Sequence, residues 1–240
     1  VPLSPNWKLA PDGTGVKVLP QLGDGPGDAS RHCRFEIVGS LREQSEGTVK
    51  GGDATCPYSD CGRVIDGDQV KAQAQNGGMG EQLYAVVFKR RLLTEYTKTG
   101  KPKKDKWERG YRAPRSDDDN SAAIAAALAE KLPEWEALDL VPNESIDGPI
   151  NYDRGHRMYG ITKWREFFSP RQLFALGSCV EAFRELVQET STTGVLDDLT
   201  KAGLGYLAVS LDTLINYNSR SCRWDSTILR VRSVFDKHGF

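Results

Sequence analysis

Two cysteines separated by four residues, in Ala54-Thr55-Cys56-Pro57-Tyr58-Ser59-Asp60-Cys61-Gly62-Arg63, are the side chains here best suited to hold a metal. A Cys-Pro entry and a Cys-Gly exit suit a knuckle, where tight turns bring both thiolates to one tetrahedral zinc ion. Zinc needs four ligands, so Cys56 and Cys61 are half of a site. Cys33, beside His32, is the nearest further candidate, but it adjoins a strand pattern and reads as an ordinary half-buried thiol. Two reduced cysteines in a turn are the plainer alternative.

The second chemical feature is charge. Lys89 to Arg115 holds eleven Lys or Arg against Glu95, Asp105 and Glu108, a net of +8 in a chain whose total is −1. Tyr96, Trp107 and Tyr111 interleave with the cations. Such a stretch can neutralise phosphates while an aromatic packs on a sugar or base. The candidate nucleic-acid contacts are Lys89, Arg90, Arg91, Lys101, Lys103, Lys104, Lys106, Arg109 and Arg112. A solvated hairpin or loop is the competing reading, since Lys101-Pro102-Lys103-Lys104-Asp105-Lys106 also has the composition of an exposed turn.

Other reactive residue types do not assemble into a site. His156 and His238 read as surface histidines, and Cys179 falls in the apolar stripe of a helix. Ser169 is explained by helix capping and lacks a base. Gly77-Gly78-Met79-Gly80 and Gly203-Leu204-Gly205 lack the strand–turn–helix frame of a nucleotide site, so they read as a turn and as close helix packing.

The elements that must position these residues divide by composition. Residues 1–96 form a β-rich, ribbon-like region, with strands expected at Val16–Leu19, Arg34–Val38 and Leu83–Phe88 and a loop at Gly23–Asp28. Residues 97–120 are a basic linker or hairpin, and 121–240 a helical region. A helix is expected from Ser121 to Leu132, led by Asp117, Asp118 and Asp119 and ended by Pro133, followed by irregular chain to residue 158. In Ser169-Pro170-Arg171-Gln172, Ser169 fits the N-cap, Pro170 the first helical position and Gln172 the third, as in a capping box. The stripe Leu173, Leu176, Val180, Phe183 and Val187 carries that helix to about Thr190. Another spans about Leu196 to Tyr217, and a shorter one lies near Ser226 to Lys237. The fold class is therefore α+β: a β-rich N-terminal part with a zinc-ribbon-like knuckle, then a mainly helical C-terminal part.

The 240 residues can bury a real core, and 38% hydrophobic content with mean hydropathy −0.50 describes a soluble protein. No apolar run is long enough to span a bilayer and no secretory signal opens the chain, so no membrane partner is expected. Five scattered cysteines are a poor disulfide framework and fit a reducing cytoplasm.

Several segments then match one family in order: Val1-Pro2-Leu3 with Trp7-Lys8-Leu9, Asp53-Ala54-Thr55-Cys56-Pro57, Gly80 to Val87, Tyr159-Gly160 with Phe168-Ser169-Pro170-Arg171-Gln172-Leu173, and Tyr217-Asn218-Ser219-Arg220-Ser221-Cys222-Arg223-Trp224. The chain resembles the bacterial and archaeal adenine-specific DNA methylases that carry a zinc ribbon, and departs from them at Asn216, where they often have an acid. The resemblance implies a parent enzyme that transfers a methyl group from S-adenosylmethionine to the adenine amine of a flipped base, as in restriction–modification. Neither its glycine-rich cofactor turn nor its Asp-Pro-Pro-Tyr tetrapeptide occurs here. The chain is accordingly expected to be a fragment, the region between those motifs. Alone it would be inactive and bind no S-adenosylmethionine. The resemblance further implies that a second cysteine pair precedes Val1 and completes a zinc site. By analogy with insertions in other amino-methyltransferases, the partners are double-stranded DNA and the missing catalytic domain of the same polypeptide. A structural or protein-interaction insertion without DNA contact is the alternative.

Overall fold

The structure is a computed structural model that describes residues 1–22, 31–146, 155–192, 194 and 196–234. Strands lead and helices follow, the α+β order expected. The chain divides into two compact units, residues 1–70 with 79–119 and residues 71–78 with 120–240. No helix among the described residues is long and apolar enough to cross a membrane. The Gly23–Asp28 loop and His238 lie outside the described residues.

In the first unit, β1 (Gly15–Gln21) and β2 (His32–Val38) pair antiparallel, with Gly15 opposite Val38 and Gln21 opposite His32. The period of two turns Val16, Val18, Cys33 and Phe35 inward. Trp7 joins them, its ring 6.0 Å from Phe35 and edge-on to Tyr84 at 5.6 Å. Its indole N–H donates to the Glu46 carbonyl at 3.0 Å, so burial leaves no donor unmet. β3 (Val49–Lys50), β4 (Asp53–Thr55) and β5 (Val64–Ile65) make a small sheet in that order.

A helix that the sequence pattern does not announce follows, α1 (Gly67–Gln75). Its only bulky apolar residue is Val70, so no stripe betrays it. β6 (Val86–Arg91) and β7 (Trp107–Arg112) then form an antiparallel hairpin. The strand expected at Leu83–Phe88 is shifted. Tyr84 is drawn into the cluster of Trp7 and Phe35, and the ladder instead begins at Val86 and runs into the basic residues.

The second unit is built on α2 (Ser121–Ala137), α3 (Pro170–Thr192) and α4 (Asp198–Tyr217). Pro133 does not end α2, which continues for a further turn. A proline inside a helix costs about 3 kcal/mol, and the turn it interrupts carries Trp135, a fully buried side chain. Burying an indole contributes on the order of 3–5 kcal/mol by large-to-small substitution, enough to offset that cost. Trp135 packs with Leu128, Leu140, Val141 and Leu173, and its N–H donates to Glu181 at 3.1 Å. Its ring lies flat on Gly177 of α3, where an added Cβ would sit 2.4 Å from a ring carbon. Arg184 closes the far end of α2 by donating to the carbonyls of Leu138 (2.6 Å) and Asp139 (3.0 Å).

The capping box is present as expected. Ser169 N–H donates to Gln172 Oε1 at 2.9 Å, and Gln172 N–H to Ser169 Oγ at 3.3 Å. Gly160 has φ +78°, and a Cβ there would approach the Ala74 carbonyl to 2.6 Å, so the Tyr159-Gly160 step admits no side chain. Asp197 N-caps α4, accepting from Thr200 N–H at 2.6 Å.

Three further expectations fail. The helix near Ser226 to Lys237 is, as far as residue 234, a hairpin of β8 (Arg223–Asp225) and β9 (Arg230–Arg232). The Asp225 carboxylate organises its turn, accepting from Thr227 N–H, Ile228 N–H and Arg232 Nε, which together hold its pKa down to about 2. Gly203 and Gly205 do not mediate close packing, because nothing lies within 4 Å of a Cβ at either. Gly177 plays that part. His156 is half-buried rather than exposed, its ring tilted against Phe167 at 5.8 Å.

Candidate nucleic-acid interface

The basic segment is the β6–β7 hairpin with its distal loop, held within the first unit. Lys89, Arg90 and Arg91 lie on β6, Arg109 and Arg112 on β7, and Lys101, Lys103, Lys104 and Lys106 in the loop. The register is Val87 with Tyr111, Phe88 with Gly110, Lys89 with Arg109, Arg90 with Glu108 and Arg91 with Trp107.

The pleat sorts these residues onto two faces. One carries Lys89, Arg91, Arg109 and Trp107. The other carries Phe88, whose ring covers Gly110, and the Arg90–Glu108 ion pair at 2.5 Å. Trp107 is 59% exposed, and Tyr96 and Leu93 in the loop are exposed as well.

The acids within the segment all turn back onto its cations. Glu95 takes both Lys103 (3.1 Å) and Lys106 (2.6 Å), and Asp105 takes Arg91 at 2.6 Å. These contacts hold the Glu95 carboxyl below its ordinary pKa, Lys106 contributing most. Arg112 is committed at the base of the hairpin: its guanidinium grips Asp118, which also accepts from Arg115 N–H at 2.7 Å. Of the nine candidate cations, Lys89, Lys101 and Lys104 make no ion pair among the described residues. Sequence reasoning did not see this internal neutralisation, although acids at 95, 105 and 108 were its only available signal.

The cysteine pair sits at the tip of β4–β5. Cys56 N–H donates to the Arg63 carbonyl at 2.9 Å, and Cys61 and Gly62 N–H both donate to the Tyr58 carbonyl at 3.0 Å. The two thiols lie near enough to influence each other's protonation. The environments differ: burial pushes the Cys56 thiol up, whereas the Arg63 N–H pulls Cys61 down. Cys33 is buried with Sγ 3.8 Å from the Tyr58 hydroxyl, and burial pushes that phenol up to about 12. No group of three or more possible ligands occurs among the described residues. Among the described residues, Cys56 and Cys61 could supply at most two of the four ligands that zinc takes.

A reactivity order follows from the two sulfurs. In the metal-free chain near neutral pH, Cys61 is exposed and richer in thiolate, so iodoacetamide should label it several-fold faster than Cys56. Peptide mapping by mass spectrometry reads the order directly, and equal rates would contradict it.

Two of the segments that carry the family resemblance, around residues 168–173 and 217–224, meet in the second unit. Arg220 N–H donates to the Phe167 carbonyl at 2.7 Å, joining the turn after α4 to the start of α3. Cys222 Sγ lies 3.4 Å from the Asn216 carbonyl and accepts Ser219 N–H at 3.4 Å. The Asn216 side chain accepts Val234 N–H at 3.0 Å. These are capping and turn contacts. They account for Asn216, Ser219, Arg220 and Cys222 as makers of the fold. Comparison of the chain with family models, with curated proteins and with solved structures gives no match.

Proposed function

We propose that this chain is a DNA-contacting region of a S-adenosylmethionine-dependent adenine-specific DNA methyltransferase, without catalytic motifs of its own. The observation that carries the reading is the β6–β7 hairpin: a two-stranded ribbon with cations along its length and an exposed tryptophan on a cationic face. Phosphate neutralisation supplies most non-specific affinity for a duplex, and this ribbon presents that chemistry despite the chain's net charge of −1. The function, the double-stranded DNA partner and the cofactor of the parent enzyme follow the resemblance of the motif residues.

In this reading Cys56 and Cys61 hold a zinc ion that pins the knuckle, with two further ligands from outside the described set. We place the protein in the cytoplasm, where its unpaired cysteines stay reduced.

A second reading, a protein-interaction insertion, draws on α4. That helix buries no residue, and Leu199 (84%) and Tyr206 (77%) stand open. A catalytic domain of the same polypeptide is the natural partner for such a surface.

The experiment is duplex binding by the 240-residue chain at low salt, with a methyl-transfer assay beside it. The chain should bind the duplex and transfer no methyl group. Affinity no greater than that of an acidic control protein would abandon the DNA reading in favour of the second, and methyl transfer would refute the catalytic assignment.

A further inference from the structure

We infer that the outer edge of β2, with the cleft beside it, is a docking site for a short extended peptide segment that carries a carboxylate. None of its residues is among the nine candidate cations of the hairpin, so the site stands apart from DNA contact. Three observations point to it.

The first is the alternation of the β1–β2 ladder. Val16 N–H donates to the Trp7 carbonyl at 2.9 Å and Val18 N–H to Ser45 Oγ at 2.9 Å, both away from β2. In an antiparallel pair a residue's N–H and C=O point to the same side. Lys17 and Leu19 therefore face β2 and bond their partners Glu36 and Arg34. Cys33 and Phe35 turn their main-chain groups to the other edge, where no further strand pairs. The second is what already sits on that edge. Gln82 Nε2 donates to the Cys33 carbonyl at 2.9 Å, the bond that a neighbouring strand's N–H would make. Phe35 N–H and C=O have no such partner among the described residues, and Phe35 is buried. Unpaired main-chain groups at a buried residue are uncommon, and an open strand edge is a template for another chain. The third is a cleft of about 430 Å³ against this edge, whose lining includes Arg34, Phe35, Gln82, Arg115 and Ser116. That volume lies within the usual range of ligand sites. Arg34 and Arg115 make no ion pair among the described residues, whereas Asp119, the acid of the lining, has a contact of its own.

An extended segment laid along this edge exchanges main-chain hydrogen bonds with Phe35 and shares its faces with β2 residue by residue. The residue opposite Arg34 falls in the closer, non-hydrogen-bonded kind of pair, with Cα atoms about 4.5 Å apart. A carboxylate there meets the Arg34 guanidinium on its own face. Arg115 and Ser116 supply a second cation and a hydroxyl to the same cleft. Arg34→Glu should therefore invert the charge preference: affinity for an acidic peptide should fall about three- to tenfold, and affinity for its lysine counterpart should rise by a similar factor. Arg34 stands opposite Leu19 and is exposed, so the variant should melt within about 3 °C of wild type.

Fluorescence anisotropy on the intact chain reads this with two labelled, end-blocked pentapeptides, in which valine alternates with glutamate or with lysine. Each is also made with N-methyl groups on the valine amides alone or on the charged residues' amides alone. With glutamate opposite Arg34, the valine amides face β2 and the glutamate amides face away. The expected result is tighter binding of the glutamate peptide, the inverted preference in Arg34→Glu, and at least about fivefold loss on methylating the valine amides only. Equal losses from the two methylations, or equal binding of the two peptides, would overturn the strand-addition assignment. Displacement of the glutamate peptide by an equal concentration of inorganic phosphate would reduce the site to an anion site and overturn it too. A dimer in sedimentation that the peptide dissociates would give the edge to a second copy of the chain instead. No binding of the glutamate peptide at millimolar concentration would overturn the site outright, with the DNA reading untouched.

Discussion

Gly177→Ala should destabilise the second unit by about 1–3 kcal/mol, although alanine is the better helix former. At mid-helix the change would ordinarily stabilise. Here the added Cβ would lie 2.4 Å from the Trp135 ring, in a contact where neither side can yield cheaply. The indole is fully buried, its N–H is held by Glu181, and the helix beneath it is already interrupted by Pro133. Trp135→Ala should cost more, about 3–5 kcal/mol, by opening a cavity among Leu128, Leu140, Val141 and Leu173. The two substitutions share one contact, so the double variant should lose less than the sum of the single losses. Thermal melts followed by helical circular dichroism give all three values. A neutral or stabilising Gly177→Ala would mean that α2 and α3 do not pack as described.

Glu95→Gln should tighten duplex binding by about three- to tenfold at 50 mM salt. Glu95 gathers Lys103 and Lys106 onto a single carboxylate, in the place that the proposed reading gives to a phosphate. Both ion pairs are exposed, and exposed pairs contribute at most about 1 kcal/mol each, so DNA can displace the carboxylate but must compete with it. Removing the charge frees two cations and should steepen the dependence of log K on log salt by up to about two. The pH dependence has a definite sign. The carboxyl pKa is depressed, chiefly by Lys106, so the clamp is fully formed above the ordinary glutamate range and is lost only as pH falls through a value below it. Near neutral pH the clamp is therefore closed, and Glu95→Gln is the clean way to open it. Unchanged affinity would show that Lys103 and Lys106 do not face the DNA.

What the sequence discloses and what it withholds divide along physical lines. The Ser169–Gln172 capping box and the start of α3 were legible, because caps act within one turn and need only local residue types. The β1–β2 ribbon was legible from its alternation. The continuation of α2 through Pro133 was not, since a distant glycine and a buried indole outweigh a local breaker. α1 was hidden by its polar surface. The β8–β9 hairpin was read as helix because its turn is set by the Asp225 carboxylate rather than by a glycine or proline. At the interface, nine cations could be counted from composition. Their sorting onto two faces depends on register, and their neutralisation by Glu95, Asp105 and Glu108 depends on side-chain geometry, so neither is visible before the strands are paired.

The central claim, that this hairpin contacts DNA, is tested most directly by duplex affinity measured from 50 to 200 mM salt. Engagement of all nine candidate cations would give a log–log slope of about −8. The pairing described here leaves Lys89, Lys101 and Lys104 outside any ion pair among the described residues. The expected slope is therefore about −3, a loss of roughly 40-fold across that range. A slope near zero, or no measurable binding at 50 mM salt, would contradict the account.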